Sequence, residues 1–284
     1  MDKINTIGII GQGFVGTAVK EGLKDYHNVL AYDIDPSKSM AVSLEQVVNH
    51  SEILFVCLPT PMRPSGECDI RILQDAMFSI DNIAALASGK KKIVVVKSTI
   101  PPGTTDSLND SCQNIKVVFS PEFLTEANSF EDFKNQTRII IGGDGAKKVK
   151  QMFRKPFPNI PIVITRANTA EMVKYFINCF LSTKVTFANQ MYDLCEASGI
   201  DYDKVCEYAL LDQRIGGSHL AVPGPDGDRG YGGHCFPKDM SAMIYFGKLF
   251  DVSFDLFSQV VKSNSTYRKN KDWLDMKGRA VSED

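Results

Sequence analysis

The sequence predicts an α/β protein, in which a doubly wound parallel sheet is followed by an all-helical region built on a long central helix. Three observations predict this fold class. Short β-branched runs alternate with helical segments through the first half, and a glycine-rich turn follows the first run at Gly11. From Thr169 to Ser198 there is neither Pro nor Gly, and apolar residues recur at intervals of three and four. We therefore expect two domains, over residues 1–166 and 167–284.

The predicted strands are short apolar runs that end at turn-forming residues. The first run ends at Gly11, and the third is stopped by Pro59 and Pro61. Runs that are apolar throughout are typical of strands buried on both faces of a parallel sheet. Strands are predicted at Ile4–Ile10, Val29–Asp33, Ile53–Leu58, Ile93–Val96, Val117–Phe119, Arg138–Ile141 and Ile162–Ile164.

Helices are predicted where apolar residues return every three or four positions. The long helix should begin with Asn168 or Thr169 as its N-cap, since either side chain can accept a hydrogen bond from the first turn. The polar stretch Arg268–Asp284 is expected to fray. Shorter helices are predicted at Phe14–Leu23, Ser37–Asn49, Ile70–Leu86, Asp201–Leu211, Pro237–Phe250 and Phe254–Arg268.

Composition and charge exclude several classes of protein. A net charge of −2 over 284 residues argues against an extended nucleic-acid surface, which needs a basic excess. The seven Cys include no Cys-x-x-Cys pair and the four His show no ligand spacing, so neither a disulfide framework nor a metal is expected. No apolar run approaches the roughly 20 residues of a membrane span, and the N-terminal run is too short for a signal peptide. We expect a cytoplasmic protein that binds neither nucleic acid nor membrane.

The first glycine-rich turn, Gly11-Gln-Gly13-Phe-Val-Gly16, lies between a predicted strand and a predicted helix. In the Rossmann-type dinucleotide fold, the first glycine permits the turn and the second lets a pyrophosphate approach the backbone. The third lets the helix pack closely on the strand. Asp33 follows at the end of the second strand, where its carboxylate can accept the adenosine ribose hydroxyls and repel a 2′-phosphate. The pattern predicts NAD as the cofactor.

A second glycine-rich loop, Gly230–Asp239, carries Cys235. Pro237 favours the first turn of a helix, so Cys235 is expected immediately before that helix begins. The positive helix end and Lys238 would favour the thiolate form of Cys235, and the glycines leave room for a substrate to reach the sulfur. The loop therefore predicts a nucleophilic cysteine.

Seven motifs occur along nearly the whole chain in the order in which a known family carries them. On these motifs the sequence resembles the UDP-glucose/GDP-mannose dehydrogenase family. The motifs are Gly11–Gly16 with Asp33 and Lys38, Leu58–Pro61, Lys97–Gly103, Ser120–Glu126, Ala170–Lys174 with Asn178, Arg214–Gly216 and Gly230–Asp239.

The resemblance implies an NAD-dependent oxidoreductase that converts the primary alcohol of a nucleotide sugar to a carboxylate by a four-electron oxidation. The substrate expected first is UDP-glucose, whose product UDP-glucuronate feeds polysaccharide biosynthesis. Nucleotide sugars that carry mannose or an N-acetylated hexosamine fit the matched residues about equally. In this scheme the Cys235 thiolate forms a thiohemiacetal and then a thioester, which water hydrolyses. A thiol suits this chemistry because a thiohemiacetal can still donate hydride and a thioester can still be hydrolysed.

The same resemblance implies further catalytic residues. Lys174 and Asn178, four apart on the long helix, share one face and would stabilise the oxyanions of the tetrahedral states. Asp239 would orient water or the lysine. Thr99 would help bind water or the nicotinamide end of the cofactor, and Glu122 would act as the base in thioester hydrolysis.

Two sets of binding residues are also implied by the resemblance. The cofactor-binding set is Gly11, Gly13, Phe14, Val15, Gly16, Asp33, Lys38, Pro59, Thr60, Ser98, Thr99 and Glu126. The substrate-binding set is Glu122, Phe123, Leu124, Lys174, Asn178, Arg214, Tyr231, Gly232 and Gly233.

The partners implied are the nucleotide-sugar substrate and a second copy of the chain, in a homodimer formed through the long helix. Arg214 matches an arginine that reaches the substrate of the neighbouring subunit. The sequence departs from the family pattern by stopping before an expected C-terminal nucleotide-binding domain. The polar loop Val222–Arg229 is expected to replace some of those nucleotide contacts.

Two alternatives stay open at the level of sequence. A β-hydroxyacid or 6-phosphogluconate dehydrogenase shares the plan of a dinucleotide fold followed by helices, but makes a single hydride transfer and needs no cysteine. An inactive NAD-binding partner protein would keep the fold without the chemistry. The retention of Cys235, Lys174, Asn178 and Asp239 in one chain argues against the second alternative.

Overall fold

The computed structural model describes residues 6–87, 91–126 and 128–283. Residues 4 and 5 of the first predicted strand lie outside this part of the chain. Contacts divide the described residues into two units. The sheet unit comprises residues 6–60 and 70–174, and the helical unit comprises residues 61–69 and 175–283. A domain boundary after residue 166 stays a prediction.

The sheet unit is built on seven strands in the order β2-β1-β3-β4-β5-β6-β7. The predicted fold class, a mostly parallel sheet with helices followed by a helical region, is confirmed. The strands are β1 Thr6–Ile10, β2 Asn28–Tyr32, β3 Ile53–Val56, β4 Lys92–Val96, β5 Ile115–Phe119, β6 Ile139–Gly142 and β7 Ile162–Thr165.

Strand direction departs from the all-parallel prediction at one point. The neighbours from β2 to β5 pair in parallel, and so do β6 and β7. However, β6 runs antiparallel to β5, with Phe119 opposite Gly142. An apolar run predicts a buried strand but carries no information on its direction, so the sequence pattern could not predict this reversal.

Helices cover both faces of the sheet, so its strands are buried on both sides. Leu23, Phe133 and Phe153, from α1, α5 and α6, share one apolar cluster with the sheet. Val47, Met77 and Leu108, from α2, α3 and α4, lie in a second cluster. The helix bounds are α1 Phe14–Leu23, α2 Leu44–His50, α3 Arg71–Leu86, α4 Thr104–Ser111, α5 Ser129–Lys134 and α6 Ala146–Arg154.

The long helix α7 spans Ala167–Ser198. It begins one to two residues before the predicted N-cap positions, so Asn168 and Thr169 lie inside its first turn. Its Glu171 is completely buried and accepts hydrogen bonds from the backbone N–H groups of Gly103 (2.6 Å) and Thr105 (2.8 Å). The carboxylate therefore satisfies donors at the N-terminus of α4, which ties the start of α7 to the sheet unit.

The helical unit contains α8 Tyr202–Ala209, α9 Phe236–Lys248, α10 Asp255–Tyr267 and a 3₁₀ helix at Asp272–Asp275. Buried polar side chains join these elements. Asn264 of α10 bonds both the N–H and the carbonyl of Tyr231, at 2.8 and 2.9 Å. None of the helices in the described residues is both long and apolar enough to cross a membrane.

Two predicted segments differ in the structure. The helix predicted over Ser37–Asn49 begins only at Leu44, because side chains of Asp33 and Asp35 hold the preceding residues in turns. The C-terminal stretch predicted to fray is folded instead. Met62 bonds Ala280 and Ser282 through its backbone, at 2.8 and 2.9 Å.

Candidate active site

The glycine-rich turn has the backbone that its spacing predicts. Gly11 adopts φ = +88°, and a Cβ there would collide with the carbonyl of Cys57. A Cβ on Gly16 would collide with the carbonyl of Gly11, so helix α1 packs closely on β1. A Cβ on Gly13 would meet no described atom within 4 Å. The turn is therefore tight at its outer glycines and open at its middle one, where Phe14 and Val15 begin α1.

Asp33 follows β2 and closes on the glycine-rich turn. Its carboxylate accepts the backbone N–H of Gln12 at 2.6 Å and that of Asp35 at 2.9 Å. Lys38 lies on the surface and forms an exposed ion pair with Asp35 at 3.2 Å. The structure thus brings Asp33 to the turn through a direct contact with Gln12, while Lys38 contacts the loop after β2.

The loops after β3 and β4 are tied together at the carboxyl edge of the sheet. The Ser98 hydroxyl accepts the N–H of Leu58 at 3.0 Å and donates to its carbonyl at 2.7 Å. The hydroxyl of Thr60, which follows Pro59, donates to the carbonyl of Thr99 at 2.7 Å. Four predicted cofactor residues are therefore brought to one edge of the sheet, where ligands of such folds bind.

A charged cluster lies at the same edge of the sheet unit. Glu122 is 8% exposed, and its carboxylate accepts the backbone N–H of Leu124. Lys174, also buried, donates from Nζ to the backbone carbonyl of Glu122 at 2.5 Å and lies 5.5 Å from the ring centre of Phe123. Glu126, in the same loop, is exposed. The structure thus brings together four predicted substrate residues.

Sequence analysis missed a second lysine in this cluster. Lys97 immediately follows β4, is buried, and donates from Nζ to the carbonyl of Pro121 at 3.1 Å. Burial lowers the pKa of Lys97, against the effect of Glu122. Burial raises the pKa of Glu122, although Lys174 and Lys97 both act in the opposite direction. The cluster therefore holds two cations beside one carboxyl group whose charge is disfavoured.

In the helical unit, Cys235 is the N-cap residue of α9, as its motif predicts. Asp239, in the first turn, pairs with the neighbouring Lys238 at 2.6 Å and accepts a hydrogen bond from Asn178 Nδ2 at 2.6 Å. Burial disfavours the charge on Lys238, but Asp239, Cys68 and Cys235 outweigh it, so the pKa of Lys238 is raised. A buried network of three polar side chains therefore lies at the same helix start as the cysteine.

The loop before Cys235 is held by residues that the sequence analysis did not single out. The N–H of Gly233 donates to Asp272 at 3.0 Å, and a Cβ on Gly232 would collide with the Arg268 guanidinium. Arg268 is 2% exposed and pairs with Asp226 at 2.6 Å and Asp272 at 3.1 Å. No local pattern marks Arg268, because its partner Asp226 is 42 residues away.

The contacts that the structure describes for Arg214 are with Asp212, which is not a predicted site residue. Its guanidinium is 88% exposed and pairs with Asp212 two residues earlier, at 2.5 Å. A cleft of about 500 Å³ in the helical unit, lined by Arg63, Ser241, Tyr245 and Leu274 among others, contains no predicted site residue. No group of three or more His, Cys, Asp and Glu in the described chain is arranged to hold a metal.

Comparison with known proteins assigns the family. The UDP-glucose/GDP-mannose dehydrogenase family, NAD binding domain, matches residues 38–157, and the central domain of the same family matches residues 168–266. The chain belongs to the UDP-glucose/GDP-mannose dehydrogenase family, a family of NAD-dependent nucleotide-sugar dehydrogenases. The resemblance inferred from the seven motifs is confirmed.

Individual relatives agree with this assignment. The chain is 31% identical to the UDP-glucose 6-dehydrogenase YwqF of Bacillus subtilis, over 91% of this chain and 66% of the relative. It is 29% identical to the solved structure of a UDP-glucose dehydrogenase from Pyrobaculum islandicum, with a TM-score of 0.83 over 93% of this chain and 68% of the other. The chain thus spans about two thirds of the length of the curated relatives that it matches.

A more distant structure shares the fold alone. The 3-hydroxyisobutyrate dehydrogenase of Mycobacterium tuberculosis is 14% identical, with a TM-score of 0.72 over 95% of both chains. The arrangement of a dinucleotide-type sheet followed by helices is therefore common to two classes of dehydrogenase. The fold does not separate them, so the argument for a reaction depends on the side chains of the site.

Proposed function

We propose that this chain carries the cofactor-binding and catalytic residues of a nucleotide-sugar 6-dehydrogenase that oxidises UDP-glucose to UDP-glucuronate. One observation carries the proposal. Cys235 occupies the N-cap position of helix α9, at the same helix start as the buried network of Lys238, Asp239 and Asn178. A cysteine at a helix N-terminus next to a buried ammonium group is suited to nucleophilic catalysis, whereas a single-step alcohol dehydrogenase needs no such residue.

NAD fits the glycine-rich turn of the sheet unit. The open position at Gly13 leaves room for a pyrophosphate, and the start of α1 favours its negative charge. Asp33 keeps acceptor capacity beyond its two backbone hydrogen bonds, so it can bind ribose hydroxyls. We assign the loops carrying Thr60, Ser98 and Thr99 to the nicotinamide side. When bound, NAD supplies the hydride acceptor for each of the two oxidations.

The protein's own residues act on the sugar carbon. On the family resemblance, we assign attack on the aldehyde carbon to the Cys235 thiolate, and stabilisation of the resulting oxyanion to Lys174 and Asn178. The ammonium group of Lys174 has three donors, so its bond to the Glu122 carbonyl leaves others for an oxyanion. Asp239 holds Asn178 in place through its carboxylate.

Glu122 is proposed as the base for release of the acid. Water attacks the thioester carbon and gives one proton to Glu122, the carbon–sulfur bond breaks, and the Cys235 sulfur leaves as thiolate. Burial raises the pKa of Glu122, which brings a carboxyl group closer to the range in which a general base works. Tyr231, Gly232 and Gly233, held before the cysteine, are proposed to line the path of the sugar.

A homodimer through α7 forms part of this proposal. Five apolar side chains of that helix are between 37% and 69% exposed and follow one another at intervals of four or seven residues, so they share one face. The two substitutions Phe180→Glu and Phe187→Glu together should convert a dimer to monomers in light scattering, whereas Phe130→Glu on α5 should not. An unchanged mass would contradict the dimer. The five residues are Met172, Phe176, Phe180, Phe187 and Leu194.

The proposed activity is tested by the number of NADH molecules formed for each molecule of acid. Purified protein is mixed with NAD and UDP-glucose, and NADH absorbance is compared with the acid formed. We expect two NADH per UDP-glucuronate. Cys235→Ser should abolish acid formation, whereas Cys206→Ser, at a half-buried cysteine of α8, should retain it. A panel of other nucleotide sugars gives the sugar and base preference.

Because the fold is shared by the two classes of dehydrogenase, the alternative to test is a single-step hydroxyacid dehydrogenase. In that case each turnover gives one NADH and a carbonyl product, and Cys235→Ser stays active with hydroxyacids. No NADH with any nucleotide sugar or hydroxyacid, in a protein that still binds NAD, would instead favour the inactive partner protein.

A further inference from the structure

Three neighbouring parallel strands of the sheet unit deliver a thiol, an ammonium and a carboxyl group to one edge. Cys57 follows β3, Lys97 follows β4, and Glu122 lies three residues after β5. The charged groups that affect Glu122 are Lys174, Lys97 and Asp132. The groups that affect Lys97 are Glu122, Cys57 and Lys174. Burial raises the pKa of Cys57 to about 12, so the thiol is neutral and leaves the two lysines and Glu122 as the charged members.

The two lysines hold consecutive backbone carbonyls. Lys97 Nζ donates to the carbonyl of Pro121 at 3.1 Å, and Lys174 Nζ donates to that of Glu122 at 2.5 Å. The ammonium groups come from two different elements, the end of β4 and the first turns of α7. The backbone on both sides of the Glu122 side chain is therefore held by two ammonium groups, and both lysines favour the charged form of its carboxyl group.

Burying a lysine costs more free energy than one hydrogen bond to a carbonyl returns. Moving an ammonium group out of water costs several kcal/mol, and an apolar side chain would fill the same volume without that cost. Lys97 is 6% exposed, and the carboxyl group that acts on its charge is that of Glu122, to which we assign base catalysis. This charge is best explained by what it does to Glu122.

We propose that Lys97 is a positioning residue for Glu122, which fixes the Pro121–Glu122 peptide and favours the ionised form of the Glu122 carboxyl group. The proposal rests on the proposed function, because the ionised carboxylate is the form that accepts a proton from the attacking water. Lys97 itself contacts neither water nor the sugar in this assignment. Its role is distinct from that of Lys174, which is proposed to donate to the oxyanion.

The sign of the effect follows from the charge. Removing a positive charge beside a carboxyl group disfavours the carboxylate, so the titration midpoint of Glu122 moves to higher pH. Lys97→Gln removes the charge but keeps an amide donor for the Pro121 carbonyl. Lys97→Met removes both, and Lys97→Arg keeps the charge. Lys116→Met removes a surface lysine of β5 and serves as the matched control.

The first measurement does not depend on turnover. Glutamate side chains are labelled with carbon-13 at the carboxyl position in the full chain, and Glu122→Gln assigns the Glu122 signal. We expect Lys97→Gln and Lys97→Met to raise the midpoint of Glu122 by about one pH unit, whereas Lys97→Arg and Lys116→Met leave it unchanged. An unchanged midpoint in Lys97→Gln would overturn the proposal, even where the variant is less stable.

The second measurement follows the pH dependence of acyl-enzyme hydrolysis. At a pH below the midpoint, Lys97→Gln should hydrolyse the thioester about tenfold more slowly than wild type and recover at higher pH. An equal loss at every pH would show a structural role only and overturn the proposal. Absence of NADH formation by wild-type protein would count against the proposed function, and the titration would still decide the role of Lys97.

Discussion

Lys97 in the sheet unit and Lys238 in the helical unit are almost equally buried, but the groups around them shift their pKa values in opposite directions. Lys97 is 6% exposed and bonds a backbone carbonyl, whereas Lys238 is 7% exposed and pairs with the Asp239 carboxylate at 2.6 Å. Burial lowers the pKa of Lys97. Burial acts on Lys238 as well, but Asp239 and two neighbouring thiols reverse the outcome and raise its pKa.

The difference shows that burial alone does not decide the charge of a lysine. A carboxylate in direct contact fixes the proton on Lys238, so the pair beside Cys235 acts as a permanent electrostatic feature. A neutral carbonyl compensates Lys97 much less, so the charge balance around Glu122 can change with pH or with a ligand. We call Lys238 and Asp239 of the helical unit the fixed pair. We call Lys97, Lys174 and Glu122 of the sheet unit the adjustable cluster.

Breaking the fixed pair should have the largest effect on stability. In Asp239→Asn, the Lys238 ammonium stays buried without its counter-charge, and Asn178 loses its charged partner. We expect a loss of about 3–5 kcal/mol in the free energy of unfolding, measured by urea denaturation. Asp255→Asn, in the exposed first turn of α10, removes the same charge and should cost at most about 1 kcal/mol. A loss for Asp239→Asn as small as that of the control would show that the pair is solvated.

Much of the fixed pair and its surroundings could be predicted from the sequence, because the signals are local. Pro237 places the start of α9, and the start of α9 places Cys235 and Asp239. The glycine-rich turn and the strand series are local in the same sense. These elements were therefore predicted to within a few residues.

Glu122 and Lys174 are predicted substrate residues, but their contacts and the place of Lys97 beside them could not be predicted, because the partners are far apart in sequence. Lys97 reaches Pro121 across 24 residues and Lys174 reaches Glu122 across 52. The direction of β6 and the folded C-terminal segment were missed for the same reason, since both depend on pairing with distant residues. Arg268, in a stretch polar enough to predict fraying, is buried and pairs with the distant Asp226 as well as with Asp272 of its own segment.

Lys97 and Lys238 should contribute to the free energy of unfolding over different ranges of pH. The expected change is smaller than that for Asp239→Asn. Because the folded pKa of Lys97 is lowered, the unfolded chain binds its proton more tightly, so this group stabilises the fold as pH rises toward 10.5. Because the folded pKa of Lys238 is raised, its contribution is complete below 10.5 and is lost as pH rises from there through the folded pKa.

Lys97→Met isolates the first of these contributions. From pH 7 to pH 10, wild type should gain stability relative to the variant, by about 1.4 kcal/mol for each unit by which the folded pKa of Lys97 lies below 10.5. The measurement is a series of urea denaturation curves for both proteins. A constant difference across this range would mean that Lys97 is compensated as fully as Lys238, and the contrast between the two units would fail.

The smallest effect on stability is expected for a substitution of Arg214, which should change substrate binding without changing the stability of the fold. Its guanidinium is 88% exposed and contacts Asp212 on the surface, so Arg214→Ala should leave the thermal midpoint unchanged. If a second copy uses this side chain to bind substrate, the KM for UDP-glucose should rise about tenfold while kcat changes little.

Arg154→Ala is the matched control, because that guanidinium bonds the carbonyls of Phe157, Pro158 and Ile160 within the sheet unit. It should lower stability by about 2 kcal/mol and leave KM unchanged. Equal KM values for Arg214→Ala and wild type would remove Arg214 from the proposed substrate site.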